Sequence, residues 1–189
     1  MTQQARAALT RRQVVRSAAS VFESRGYARS SITDISRRAQ VSNGALYFHF
    51  KSKEALAAAV KLAAWEEIAP LVCPVEPPAS GLQHLLDTCR AMSVLLREDV
   101  VVRAGYHLAC DPTLGSGRAA HRLWYRFVCG ALQRAQADLS LPPGLPVDAL
   151  AESIMAATIG LELLSRQDPR WLGADVLARC WDRLLRQAE

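Results

Sequence analysis

Ser31-Ile-Thr-Asp-Ile-Ser-Arg-Arg-Ala-Gln-Val-Ser-Asn-Gly-Ala-Leu-Tyr-Phe-His-Phe-Lys-Ser-Lys-Glu-Ala-Leu56 is the stretch whose reading decides the fold. Ser31 suits a helix N-cap, and Asp34 places an acid in the first turn, three residues on, as in a capping box. Ile32, Ile35 and Ala39 fall at i, i+3 and i+7, one apolar face of a short helix. Gln40 and Val41 make a turn, with Val41 as its buried plug. Ser42 caps a second short helix, anchored by Ala45, Leu46 and the run from Phe48 to Phe50, and Ser52 caps a third beginning at Lys53. This is helix-turn-helix spacing, and the second helix is built to lie in the major groove of DNA.

Only the first turn of such a helix reaches base edges, and the small Gly44 and Ala45 let the backbone approach them. Ser42, Asn43 and the open N–H groups of the helix start suit phosphate oxygens. Asn43 is also the expected base reader, because an amide pairs bidentately with adenine. Tyr47 and His49 carry donors toward phosphates along the groove edge, and Lys53 can reach the same backbone. With Ser31 and Thr33 at the start of the preceding helix, these residues form the expected DNA-binding set.

The run from Ser42 to Leu56 resembles the DNA-binding signature of the TetR family, and the likeness extends over about residues 10 to 60. Two positions depart from it. Gln40 stands where many members carry glycine, so a residue with a Cβ must bear the turn's backbone conformation. Asn43 stands where Lys or Arg is frequent. The Gly44-Ala-Leu-Tyr-Phe-His-Phe50 form, with Trp124 midway along the seventh helix, is similar to the γ-butyrolactone-receptor branch. The resemblance implies a dimer on a palindromic double-stranded operator, released by a small organic effector bound in the second half of the chain.

Charge is unevenly spread. Residues 1–53 hold ten basic and two acidic residues, +8, whereas the remainder holds 13 basic and 16 acidic, −3. A basic head on a slightly acidic body is the electrostatic footprint of a nucleic-acid binder. Half of the 189 residues are apolar and 22% are charged, which excludes a disordered chain. Aromatics are 6%, and the abundance of Ala and Leu favours helices over sheets. Cys73, Cys89, Cys110, Cys129 and Cys180 form no C-x-x-C, so no zinc or redox pair is signalled. With no apolar leader segment, they read as reduced thiols in a cytoplasm. The most apolar run, Val147 to Leu164, contains Asp148, Glu152 and Glu162 and is no membrane span.

The expected architecture is all-α, TetR-like, with about nine helices. Residues 1–52 form a three-helix helix-turn-helix domain, and residues 53–189 a helical bundle for ligand binding and dimerisation. Thr10-Arg-Arg-Gln13 reads as a capping box opening the first helix, with residues 1–9 frayed before it, and Gly26 ends it. The fourth helix spans 53–72, and Pro70 near its end suggests a kink or early stop. Further helices are expected over 81–97, 100–110, 118–139, 148–166 and 174–187, separated by Pro- and Gly-rich breaks. The eighth is apolar nearly all round and the ninth is striped, so the pair is expected to join two subunits in a four-helix bundle. A two-fold dimer matches a palindrome, one half-site per head.

The second half reads as a container with apolar walls and few polar groups, the character of a small-molecule site and equally of an ordinary core. The resemblance favours a site, lined by Leu85, Cys89, Met92, Tyr106, Trp124, Phe127 and Thr158. Enzyme chemistry has little footing. His107 and Cys110 are i, i+3 neighbours that could be read as base and nucleophile or as metal ligands, but no orienting third group is evident. No cofactor or metal motif is present. Three functions follow in order: a ligand-released repressor, a DNA binder without an effector, and an enzyme with a DNA-binding head. Ligand-sensitive binding of a palindrome selects the first, sequence-indifferent salt-sensitive binding the second, and turnover dependent on His107 the third.

Overall fold

Three serines open three consecutive helices by one device. The hydroxyl oxygens of Ser31, Ser42 and Ser52 accept the amides of Asp34, Ala45 and Ala55 at 3.1, 3.1 and 3.2 Å. Each supplies a partner for an N–H that a helix start leaves unpaired. The helices are α2 (Ile32–Ala39), α3 (Asn43–His49) and α4 (Lys53–Val72), preceded by α1 (Gln3–Arg29). After them come α5 (Gly81–Glu98), α6 (Val100–Cys110), α7 (Ala119–Ala137) and α8 (Val147–Ser165), with 3-10 turns at Pro112–Leu114 and Pro169–Leu172. This computed structural model describes residues 3–114, 119–173, 176, 179 and 180, and among them the fold is all-α with no strand. Most of the ninth helix expected over 174–187 lies outside the described residues.

Two local expectations are corrected. Helix α1 begins well before Thr10, whose hydroxyl donates back to the Arg6 carbonyl at 3.0 Å from inside the helix. Gln13 is not its capping partner either. Its side-chain amide crosses to the Ala39 carbonyl at 2.8 Å and closes the C-terminal end of α2. Gly26 does break the path of α1, at φ 74° and ψ 159°, values open to glycine but not to residues with a Cβ. Pro70 leaves α4 intact to Val72, since the carbonyl it deprives belongs to exposed Glu66, where water can replace the lost donor.

The described chain divides into two compact units, residues 1–67 with 99–117 and residues 68–98 with 118–189. In the first, Val14, Ala18, Phe22, Ile35, Leu46, Phe50, Leu56, Val60 and Leu108 form one core, drawn from α1, α2, α3, α4 and α6. The turn between α2 and α3 sits on Gln40 at φ 56°, the left-handed region in which an L side chain costs about 1–2 kcal/mol. The Gln40 and Val41 amides offset this by donating to Arg37 and Ser36 carbonyls. Glu23 of α1 and Arg103 of α6 pair across the unit.

In the second unit α5 starts against α7. A Cβ on Gly81 would come within 2.3 Å of the Ala135 nitrogen, so only glycine permits the approach. The Gly81 amide there donates to Asp138 Oδ2 at 2.6 Å, and the Ser140 hydroxyl bond first, then the Gly81 and Ser140 amides, hold the Asp138 carboxyl below its ordinary pKa. Leu85, Cys89, Phe127, Val128, Leu132, Ala151, Ile154 and Leu161 make the core. Burial pushes the Cys89 thiol up to about 12, which leaves it an apolar packing group. No described helix is long and apolar enough to cross a membrane.

Candidate nucleic-acid interface and effector cluster

The capped helices place one set of polar side chains on the surface of the first unit. Ser31, Thr33, Ser42, Asn43, Gly44, Ala45 and Tyr47 are exposed, and His49 is half-buried. Leu46 alone of α3 is buried, fixing which face looks outward. A Cβ on Gly44 would meet nothing nearer than Ser42 Oγ at 3.9 Å, so the fold makes no demand for glycine there. Asp34 ties the start of α2 to its neighbours. It accepts the Ser31 hydroxyl at 2.7 Å and pairs with Arg25 at 3.0 Å and Arg37 at 3.6 Å. The Ser31 bond first, then the two guanidinium groups, holds its carboxyl below the usual range.

Three side chains behave in ways the sequence does not show. Asn43 is linked to α2, its Oδ1 accepting the buried Ser36 hydroxyl at 2.5 Å. Its NH₂ is a donor on an exposed residue. Lys53 folds back over the Tyr27 ring, 4.3 Å from its centroid, and donates to the Tyr27, Ala28 and Ser30 carbonyls at 2.9, 3.5 and 3.0 Å. It gathers the last carbonyls after Gly26, so contact with DNA would have to draw it away from them. Phe48, expected as an anchor, is instead 78% exposed, its ring edge-on to His49. Leu46 and Phe50 fill the core that Phe48 was expected to share, and a seven-residue helix has no third inward position.

Of the residues expected to line an effector site, Leu85, Cys89 and Phe127 share the core of the second unit, and Trp124 packs against it. Trp124 stacks on Phe127 with centroids 5.1 Å apart and planes at 28°. Met92 lies half-buried on α5. Thr158 of α8 donates its hydroxyl to the Ile154 carbonyl at 2.8 Å, so toward a ligand it could only accept. Tyr106 belongs to α6, in the first unit. The residue that sequence reasoning missed is His84, edge-on to Phe127 at 5.3 Å. Its i, i+4 spacing to Thr88 was the available signal: both side chains bond the Leu71 carbonyl, at 2.8 and 3.2 Å. His107 and Cys110 lie on α6, and among the described residues no three His, Cys, Asp or Glu side chains are grouped to hold a metal.

Along α8, Ala151, Ile154, Leu161 and Glu162 are buried, whereas Ala149, Ala156, Leu163 and Leu164 are exposed. Leu163 is 58% exposed, an apolar face without cover in the single chain.

Comparison with known proteins places this geometry. The family model for bacterial regulatory proteins of the tetR family matches residues 14–60. The A-factor receptor protein of Streptomyces griseus is 36% identical over 168 residues, which cover 89% of this chain and 59% of that protein, less than two thirds of its length. The structure of TylP, a TetR regulator from Streptomyces fradiae, is 36% identical with a TM-score of 0.68, covering 97% of this chain and 86% of that one. A γ-butyrolactone receptor described as ArpA-like superposes with a TM-score of 0.74 at 25% identity, covering 96% and 99% of the two chains.

Proposed function

The chain belongs to the tetR family of bacterial regulatory proteins, and from that premise we propose that it is a ligand-responsive transcriptional repressor. It acts as a homodimer on a palindromic operator and is released by a small organic effector of γ-butyrolactone-like kind. In this reading residues 1–52 carry the DNA contacts, and residues 53–189 the effector site and dimer interface. The TylP and γ-butyrolactone-receptor likenesses support it. Five cysteines that form no disulfide, and a DNA target, suit a cytoplasmic setting.

The observation that carries the DNA reading is Gly44. Glycine inside a helix costs about 1 kcal/mol relative to alanine, and nothing in the fold crowds the position. Its use is the close approach of a partner from outside, and its neighbours Ser42, Asn43, Tyr47 and His49 are the groups that a phosphate backbone and base edges accept. Gly44→Ala should therefore raise the melting temperature and weaken operator binding. Fluorescence anisotropy on a palindrome selected from randomised DNA tests this. A variant that binds as tightly as the parent removes the argument.

Release follows from α4. This one helix begins four residues after α3 ends at His49 and continues to Val72, and His84 and Thr88 hold the Leu71 carbonyl near its end. A ligand lowers DNA affinity only by binding the DNA-incompetent conformation better. To leave an operator mostly free it needs a preference of order 10²–10⁴-fold. Occupation of the cluster beside Trp124 would displace α4 and change the separation of the two recognition helices, so that both half-sites no longer fit.

A further inference from the structure

Two nitrogens in the second unit, His84 Nδ1 and Trp124 Nε1, are buried without a hydrogen-bond partner. Such groups cost stability, because water solvates them in the unfolded chain and nothing replaces it. Their two rings both lie against one aromatic, Phe127, with centroids 5.3 and 5.1 Å away. Both unpaired nitrogens thus belong to rings in contact with Phe127.

The chemistry of the two nitrogens differs and is fixed by their surroundings. Trp124 Nε1 carries a hydrogen and only donates. His84 Nε2 lies 2.8 Å from the Leu71 carbonyl, which only accepts, so Nε2 must carry the hydrogen. The Leu71 carbonyl is one of the last in α4, which the helix leaves without an internal partner, so this bond has a reason to persist. Nδ1 of the neutral ring is then a bare acceptor.

Resting on the effector reading above, we infer that His84 Nδ1 accepts a hydrogen bond from the effector and so selects a hydroxyl-bearing molecule. The effector presents a hydroxyl to His84 and an ester or carbonyl oxygen to the Trp124 N–H. His84 thereby joins effector to α4 in two steps, from the hydroxyl to Nδ1 and from Nε2–H to the Leu71 carbonyl. An analogue whose hydroxyl is replaced by a ketone leaves Nδ1 unpartnered and turns a second acceptor toward it.

The test uses two synthetic γ-butyrolactones with the same six-carbon side chain. One carries a secondary hydroxyl on the first side-chain carbon, the other a ketone. Calorimetric titration of the full chain should show about 10- to 100-fold tighter binding of the alcohol. His84→Gln places an amide NH₂ near Nε2, keeping the Leu71 bond while removing the Nδ1 acceptor, and should abolish that preference while retaining affinity for the ketone. His84→Asn places its carbonyl oxygen near Nδ1 and should restore the preference. Operator binding by each variant checks that it folds. Independently of any variant, the ¹⁵N signal of His84 Nδ1 should move upfield with the alcohol and not with the ketone. If both lactones bind the parent equally, or the Gln variant keeps the preference, or the signal stays still, the assignment of His84 is overturned while the effector reading stands. If neither lactone binds the parent, the effector class itself is overturned, and the assignment of His84 falls with it.

Discussion

Ser36→Ala separates two roles of Asn43, clamp and base reader. The buried Ser36 hydroxyl has one hydrogen and two acceptors in range, Asn43 Oδ1 at 2.5 Å and the Thr33 carbonyl at 3.1 Å. The shorter contact takes it. Alanine removes the hydroxyl entirely, so no buried group of Ser36 is left unpaired. Asn43 is exposed and its oxygen passes to water. The loss should be that of one ordinary hydrogen bond, about 0.5–1.5 kcal/mol, which for a chain of this size lowers the melting temperature by about 2–4 °C per kcal/mol. The larger change is in recognition. While Ser36 occupies one lone pair of Oδ1, the amide is tied to α2 and is not free to turn its Oδ1–NH₂ edge toward a base. Once released, it can pair bidentately with adenine, a contact worth about 1–3 kcal/mol of discrimination. Anisotropy titrations at fixed salt, with all four bases placed at each half-site position, should show adenine gaining at least about 5-fold over the other bases at one position. An equal loss for all four bases with no gain for adenine would refute the reasoning and leave Asn43 as a clamp between α2 and α3.

Further outcomes are expected. Trp124→Ala should keep operator binding and lose release by the hydroxy-lactone. A variant that still leaves DNA at the parent's effector concentration places the site elsewhere. Leu163→Glu should put a charge in the apolar face of α8 and yield monomers in sedimentation, since burying an unpaired charge costs more than the contact gains. An unchanged dimer would remove α8 from the interface. The lowered pKa of Asp34 gives its ion pairs a defined pH window. The unfolded carboxyl titrates near ~3.9, so the stabilisation is fully present above that value and is lost as pH falls through the lower folded value. Urea midpoints of the parent and Asp34→Asn should accordingly differ at pH 7 and converge toward the acid limit. A gap of constant size would show that Asp34 does not act through its charge.

The all-helical fold and the exposed polar face of α2 and α3 were legible because their determinants are local. Ser31, Ser42 and Ser52 each act on an amide three residues away, and those caps alone divide the stretch from 31 to 56 into its three helices. Gln40 bears the left-handed turn that its lack of glycine implied. Thr10 was misread for an equally local reason: a threonine that can cap a helix can also back-bond inside one, and only the helical residues before it decide which. What the tertiary structure alone decided are contacts between elements distant in sequence. Lys53 turns inward because carbonyls 23 to 26 residues earlier converge beneath it. Asn43 is engaged because the turn brings α2 against α3. His84 and Thr88 are tied to α4 because the end of that helix, 13 and 17 residues back, presents a carbonyl that the helix itself leaves open. Helix periodicity and capping are encoded within a turn of chain, whereas the hydrogen-bonding state of a side chain depends on which backbone groups other helices leave open, and packing alone brings those together.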